Sequence, residues 1–490
     1  MSDNKNVWLF FAVALLLPIW TQAQSGYVED ALRYSIHNAT GTARISALGG
    51  TQNSLGGDIS NIHGNPAGLG FFQRSEFNLS LGYMDWNAES LFEGQSTNQS
   101  ATNFMLPNIG IVFSRAKAPL EAGDWRGGSF GFSYNRQSNF RTNYGYTSNR
   151  LDQESILDYY LDVYNTSGNP GGLGGLFFDA FLINPVGGNQ YDFSPNATTS
   201  LVKSDFVESE GNLNHISLAY GGNYKNKLFL GANLGILSMN FRRVQTYNED
   251  FLDGSNRSTL FSSLQQTLVQ EGAGINLGVG VIYKPMDELN IGLNFQSPTW
   301  SNINEEYGAD IFADFNPPYN DPEFGLIAES DAETQLFIGN FGLRTPLRLG
   351  SGLTYFFGKK GFLSADVDYL DYSMANLRSN AFNTGEDNRD IRQIYGQTIN
   401  FRVGGEARID ILRIRAGYAY YGDPFQNPGG NDRSMTQLSG GLGVRMPKIS
   451  IDLGITSSHF NTFHASYPGS PVATIDNQRL MGMLSLGFNF

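Results

Sequence analysis

Few side chains in this 490-residue chain are spaced for chemistry. Gly127-Gly128-Ser129-Phe130-Gly131 matches the string that presents a nucleophilic serine. That motif needs a strand-turn-helix setting, and here it opens an alternating, strand-like stretch, so no serine chemistry is expected. Asp366 and Asp368 share one parity and offer oxygen ligands of the kind calcium takes, but two carboxylates are too few to specify a site. The five histidines (His37, His63, His215, His459, His464) have no metal-ligand spacing. The chain has no cysteine, which removes thiolate sites, disulfides and a lipoprotein anchor. No phosphate-binding loop is present. The expectation is a protein that is not an enzyme and holds no cofactor and no metal.

What remains is a set of charges on polar faces: Arg348, Arg402, Glu406, Arg408, Arg413, Arg415, Asp452 and Arg479. An arginine among them can pair with a ligand carboxylate. The plainer reading is an internal network of ion pairs. Phe356, Met481 and Met483 fall on the same faces and suit an apolar pocket, or packing against Phe71 and Phe72. Candidate ligand contacts are therefore Phe71, Phe72, Arg348, Phe356, Arg402, Arg413, Arg415, Met481 and Met483. A net charge of -14 with no basic run excludes nucleic acid as a partner.

The elements carrying these residues alternate with period two. Leu480, Leu484, Leu486, Phe488 and Phe490 share one parity, and Arg479, Ser485, Gly487 and Asn489 the other. The same holds for Ile449–Thr456, Leu412–Tyr420, Ile399–Ile409, Leu363–Tyr369, Leu289–Phe295 and Ile275–Val281. About ten residues of such alternation cross a bilayer when hydrocarbon lies on one side and a polar lumen on the other. Around Ile236–Leu237 the apolar parity slips by one, which predicts a β-bulge. Short spacers (around 116–124, 225–226, 285–288, 358–361, 410 and 447–448) alternate with long ones (87–103, 144–212, 248–270, 299–342, 375–396, 422–434 and 461–475). The fold class this implies is all-β: a transmembrane antiparallel β-barrel of about 14 strands with an N-terminal lumenal hatch. A β-sandwich would also alternate, but would not place seven long loops on one side.

Lys5 precedes an apolar run from Val7 to Ile19, followed by Thr21-Gln22-Ala23, which predicts a signal peptide over 1–23. Residues 24–74 do not alternate; glycine-punctuated, they read as a hatch or plug, with the barrel over 75–490. The 144–212 spacer carries apolar side chains on an expected extracellular loop. Of these, Leu151 and Ile156 lead up to Leu157, Tyr160, Leu161, Phe177, Phe178 and Phe181. They suit a landing groove for a greasy substrate, or a loop packed on itself.

The stretch Ala43-Arg44, Leu48-Gly49-Gly50, Gly57-Asp58 and Asn65-Pro66-Ala67-Gly68-Leu69 resembles the N-terminal hatch of the FadL/TodX family of outer-membrane channels. Ile291–Pro298 and the run from Thr345-Pro346-Leu347-Arg348 to Asp371-Tyr372-Ser373 look like the same family. The resemblance implies an outer membrane of a gram-negative bacterium and passive uptake of hydrophobic small molecules, long-chain fatty acids or aromatic hydrocarbons. Such a ligand would pass from the loops to an internal pocket and out through the wall. It makes Asn65, Pro66, Ala67 and Gly68 hatch residues. It implies contact with membrane lipid and lipopolysaccharide, and with the barrel-assembly machinery through terminal Phe490. Barrels similar to this family also serve as protein-binding subunits of type IX secretion assemblies, which is the alternative reading.

Overall fold

A computed structural model describes residues 26–490 except 119, 120, 122, 149–153 and 169. The predicted leader and Leu151 lie outside the described residues. Fourteen antiparallel wall strands follow one another in chain order, and strand 14 closes onto strand 1 from Glu76↔Asn489 to Leu91↔Thr474. Strands 1 to 6 are Glu76–Phe92, Gln95–Ala116, Trp125–Asn139 continued by Thr142–Thr147, Leu201–Tyr224, Leu228–Leu252 and Ser258–Met286. Three further strands are interrupted. Strand 7 is Leu289–Gln296 and Trp300–Asp321, strand 8 is Gly325–Glu333, Phe337–Arg344 and Arg348–Phe356, and strand 9 is Gly361–Asp371 and Asn376–Arg378. Strands 10 to 14 are Gln397–Ile409, Leu412–Tyr421, Met435–Arg445, Ile449–His464 and Ala473–Asn489. No described helix is long and apolar enough to cross a membrane.

The outward parity forms a continuous apolar belt. Leu234, Ile275, Leu277, Leu293, Leu353, Leu363, Ile399, Leu438, Leu453, Ile455 and Leu480 are all exposed. So broad an oily surface is stable only against hydrocarbon. The short turns make one rim, and each carries a cation in or beside it: Lys117, Lys225 and Lys227, Lys284, Lys359 and Lys360, Arg413, and Lys448.

The opposite rim differs from the expectation of loops. Strands 4, 5 and 6 run 24, 25 and 29 residues, far more than the roughly ten that cross a membrane. The segments 87–103, 248–270 and 299–342 are continuations of the wall closed by tight hairpins. The bulge expected at Ile236–Leu237 is absent: strands 5 and 6 pair without a shift from Leu228↔Tyr283 to Phe251↔Leu260. The apolar residues change face there instead. Leu234 and Ile236 point out, whereas Leu237, Met239 and Phe241 are buried inside. Beyond the belt water lies outside, so the oily parity turns inward to make a core. That core joins Tyr247, Phe251, Leu260, Leu264, Ile311 and Phe315 to helices α3 (Ile156–Ser167) and α4 (Gly172–Asp179).

The described chain ahead of strand 1 contains helix α1 (Gly26–Arg33), helix α2 (Ala43–Ala47) and 3-10 turns at Ile59–Ile62 and Pro66–Phe71. It is buried against inward faces all round the ring. Its backbone lies so close to the wall that some strand positions admit only glycine. A Cβ on Gly231 would stand 2.3 Å from Pro66 C, and one on Gly404 2.2 Å from Leu48 O. Wall glycines such as Gly221, Gly231, Gly292, Gly404, Gly417 and Gly454 therefore mark where two backbones touch.

Candidate functional site

The N-terminal segment meets strands 8–13 through charge. Asp366 Oδ2 accepts from the backbone N–H of Gln52 at 2.8 Å and of Asn53 at 2.9 Å, and Asn53 Nδ2 donates to Asp368 Oδ1 at 2.9 Å. Arg402 donates to Asp368 at 2.7 Å and lies 3.6 Å from Asp366. Arg415 bridges Glu406 (2.8 Å) and Asp452 (2.7 Å), and Arg44 reaches Glu406 at 3.7 Å and Asp58 at 3.3 Å. Arg348 bonds His37 and donates to Gln296 at 2.8 Å. Burial, then the Arg348 charge, holds His37 well below the usual histidine range, so its neutral ring accepts that bond. The aspartates weighed as calcium ligands are thus occupied by guanidinium and backbone N–H groups.

Strands 2–7 meet the segment mostly through amides and apolar contact, with one ion pair to it among the described residues, Arg243 to Glu29 at 3.4 Å. Asn65 caps the Pro66–Phe71 turn by accepting from Ala67 N–H at 3.1 Å. Its Nδ2 donates to Asn53 O at 2.6 Å and to Leu293 O of strand 7 at 3.2 Å. Asn233 donates to Ile62 O at 2.9 Å and Asn135 to Thr40 Oγ1 at 2.8 Å. Phe71 stacks on Phe229 at 3.8 Å, and Phe72 packs with Ile59, Ile62, Leu69 and Val112. Ser133, Ser217 and both side-chain ends of Asn108 are buried with no hydrogen-bond partner among the described residues.

Between this segment and the wall lies a cavity of about 300 Å³. Residues 36–41 and Ser46 contribute one side. The wall supplies Met84, Trp86, Met105, Pro107, Phe140, Met435, Phe460, Met481 and Met483. Five of the chain's ten methionines thus line one cavity. Flexible thioethers adapt to irregular apolar shapes and to ring edges. Four arginines also line it (Arg33, Arg136, Arg433, Arg479), and no carboxylate does, in a chain of net charge -14. Arg33 pairs with Asp30 and Glu29. The guanidinium groups of the other three have no carboxylate within 4.0 Å among the described residues; Arg433, whose backbone N–H donates to Asp423 at 2.9 Å, lies over Phe425 and Phe463, and Arg479 over Trp86. Asp30 itself is raised to about 6 by burial, against the pull of Arg33 and the Gln270 amide.

The cavity reaches a seam in the wall. Strands 2 and 3 pair only from Asn108↔Asn135 to Ala116↔Gly127. Beyond that, residues 95–107 have no backbone partner in strand 3 among the described residues; Asn143 Nδ2 to Ser100 O (3.3 Å) and Thr147 N to Thr97 Oγ1 (3.4 Å) bridge the gap. Met105 and Pro107 form one lip and Gln137–Phe140 the other, all lining the cavity.

Of the residues singled out in the sequence, the structure brings Met481 and Met483 to this cavity. Arg402 and Arg415 are buried in the ion-pair lattice, as is Arg348, which lines a smaller polar pocket of about 30 Å³ shared with His37. Arg413 turns to the carbonyls of Asp410 (2.6 Å) and Leu412 (2.8 Å) at the short-turn rim. Phe356 packs on Leu48, Leu55 and Phe362. In the expected landing groove, Leu157 and Phe177 are 1% exposed and belong to the outer core, which leaves Tyr160, Leu161, Phe178 and Phe181 half-buried. Ser129 sits in the strand 2–3 ladder opposite Ser114, with no helix after it. Trp86, Phe140, Arg136, Arg433 and the remaining methionines were not singled out. Their one legible signal is inward methionine, on strands 1, 2, 12 and 14.

No family model and no curated protein matches the chain. Solved structures share its fold. A FadL homologue from Pseudomonas aeruginosa is 14% identical at a TM-score of 0.55, covering 93% of this chain and 100% of its own. The toluene transporter TodX of Pseudomonas putida is 15% identical at 0.54, over 93% and 100%. The CymD monoaromatic hydrocarbon channel is 14% identical at 0.50, over 92% and 98%.

Proposed function

We propose that this chain is an outer-membrane channel for passive uptake of hydrophobic small molecules in a gram-negative bacterium. The observation that carries it is the methionine-lined cavity abutting a wall seam that lacks its backbone ladder. A ligand would meet the half-buried Tyr160, Leu161, Phe178 and Phe181, settle among Met84, Met105, Met481 and Met483, and leave between strands 2 and 3 into the bilayer. Residues 24–74 act as the hatch, with Asn65, Pro66, Ala67 and Gly68 seating it on strands 4–7. The structures of like fold are named as toluene and monoaromatic hydrocarbon channels, and aromatic hydrocarbons are one candidate class. Long-chain fatty acids are the other, and the guanidinium groups of Arg136 and Arg479, which have no carboxylate within 4.0 Å among the described residues, favour a carboxylate, since a buried cation is costly until paired.

The test is a titration of detergent-solubilised protein with a fluorescent fatty acid and with toluene as competitor. Binding of at least one class is expected, reduced by Met105→Gln or Met483→Gln. Fatty-acid binding alone is expected to weaken in Arg479→Gln. No saturable binding of either class would sink the proposal.

A further inference from the structure

We infer that the short-turn rim is a docking ring for anionic phospholipid headgroups of the leaflet it borders. The inference rests on the membrane-channel reading and concerns a surface that reading does not use.

The observation is where the lysines are. Of the nine in the chain, Lys5 lies outside the described residues and Lys203 is buried under α3, donating to Glu154 O at 3.0 Å. The other seven all stand in or within three residues of the short turns. Those turns are a small fraction of the chain, and the protein as a whole is acidic, so the placement is selective. Lys117, Lys225 and Lys284 each have a turn carboxylate nearby, at 3.6, 3.3 and 3.9 Å. Lys227, Lys359, Lys360 and Lys448 are exposed, with no carboxylate within 4.0 Å among the described residues. No described carboxylate neutralises these four.

The ring's shape selects the partner. A folded acidic protein would need its cations on one face. Here the turns between strands 2–3, 4–5, 6–7, 8–9 and 12–13 all carry lysine, so the charge runs round the circumference. Each cation also stands at the end of the oily belt beside an outward aromatic or methionine side chain: Trp125, Tyr283, Phe357 and Met446 are all about half exposed. Apolar body in hydrocarbon, aromatic at the interface and ammonium just beyond it is the order in which a phospholipid presents acyl chain, glycerol and phosphate. Lysine suits the role because its long stem reaches a mobile phosphate as a point charge.

The experiment places the full mature chain in nanodiscs of equimolar phosphatidylcholine and phosphatidylglycerol and counts retained lipid by native mass spectrometry. Phosphatidylglycerol should be enriched. A basic residue near an anionic surface contributes about 1 kcal/mol, close to fivefold. The combined variant Lys227→Gln, Lys359→Gln, Lys360→Gln, Lys448→Gln should therefore lose roughly tenfold or more of the enrichment. The four Lys→Arg changes should keep it, and added salt should erode it. Equal enrichment in the Gln variant overturns the inference. So does equal preference for lipopolysaccharide, or displacement by inorganic phosphate at matched charge, or binding only of an acidic periplasmic protein. A heat-modifiable gel shift confirms that each variant is an inserted barrel. A chain that stays soluble without detergent removes the membrane reading itself, which is a different failure.

Discussion

The two halves of the wall hold the same N-terminal segment by opposite means. Strands 8–13 use buried ion pairs: Arg402 on Asp366 and Asp368, Arg415 on Glu406 and Asp452, Arg44 on Glu406 and Asp58. Strands 2–7 use mostly single amide bonds, stacked rings and glycine contacts, with only the part-exposed Arg243–Glu29 pair as an ion pair to the segment among the described residues, and leave Asn108, Ser133 and Ser217 without partners among the described residues. A buried ion pair adds little net stability when intact, but removing one partner strands a charge. An amide contact is lost at the cost of one hydrogen bond. The charged half is therefore brittle and specific, and the amide half is soft. A segment that must shift to open a path would part from the soft half first, which also carries the strand 2–3 seam.

The sharpest way to break the comparison is Arg402→Ala. It leaves fully buried Asp366 with no guanidinium within 4.0 Å among the described residues and Asp368 with Arg348 alone at 3.7 Å, and should cost about 3–5 kcal/mol, read as a lowered midpoint of heat-induced unfolding and a leaky pore in bilayer conductance. A loss under 1 kcal/mol would mean that water already reaches this seam.

Asp30 ties α1 to Gln270 of strand 6, a charged contact within the otherwise soft half, and serves as a control. Its folded pKa of about 6 stands above the ordinary value of 3.8. The unfolded chain thus gives up the proton first, and stability falls as pH rises between those values, by up to about 3 kcal/mol. Asp30→Asn should flatten that slope in an unfolding titration over the same window. An unchanged slope would place the titrating group elsewhere.

Gly280→Val probes the soft half by steric means. A Cβ there would stand 1.8 Å from Asn65 Oδ1, so the turn at Pro66 must lift away, at about 1–3 kcal/mol. Conductance should rise while the barrel keeps its heat-modifiable migration. Asn65→Ala removes a cap and two backbone contacts and should cost about 1–2 kcal/mol in the same assays. If it proved as damaging as Arg402→Ala, the halves would be equivalent and the contrast wrong. The smallest effect belongs to Asn108→Leu. With no partner to lose, a similar-sized apolar group should be neutral within about 0.5 kcal/mol.

Legibility followed the same division. The ion-pair residues were readable as inward charges because strand parity assigns a face without knowledge of neighbours. Parity also marked Met481 and Met483, yet could not tell them from Phe356 on an equally inward position, since which inward residues border empty space depends on how the N-terminal segment fills the ring. The slip at Ile236–Leu237 was legible as a change of pattern and misassigned as a bulge. The same pattern results when the ladder runs on and the solvent changes.

Sequence alone determined the wall: period-two alternation, the number of strands, the short turns of one rim, and the absence of metal-ligand spacing. These are local properties, fixed by what each side chain meets across the strand. Tertiary structure decided the rest: the cavity, the unpaired seam, the coupling of Arg402 to Asp368 across 34 positions of sequence and the gathering of lysines at one rim. Arg402 and Asp368 meet because strands 9 and 10 pair, and the seam lies where strands 2 and 3 stop pairing, whereas the cavity and the lysine rim gather residues from all round the ring.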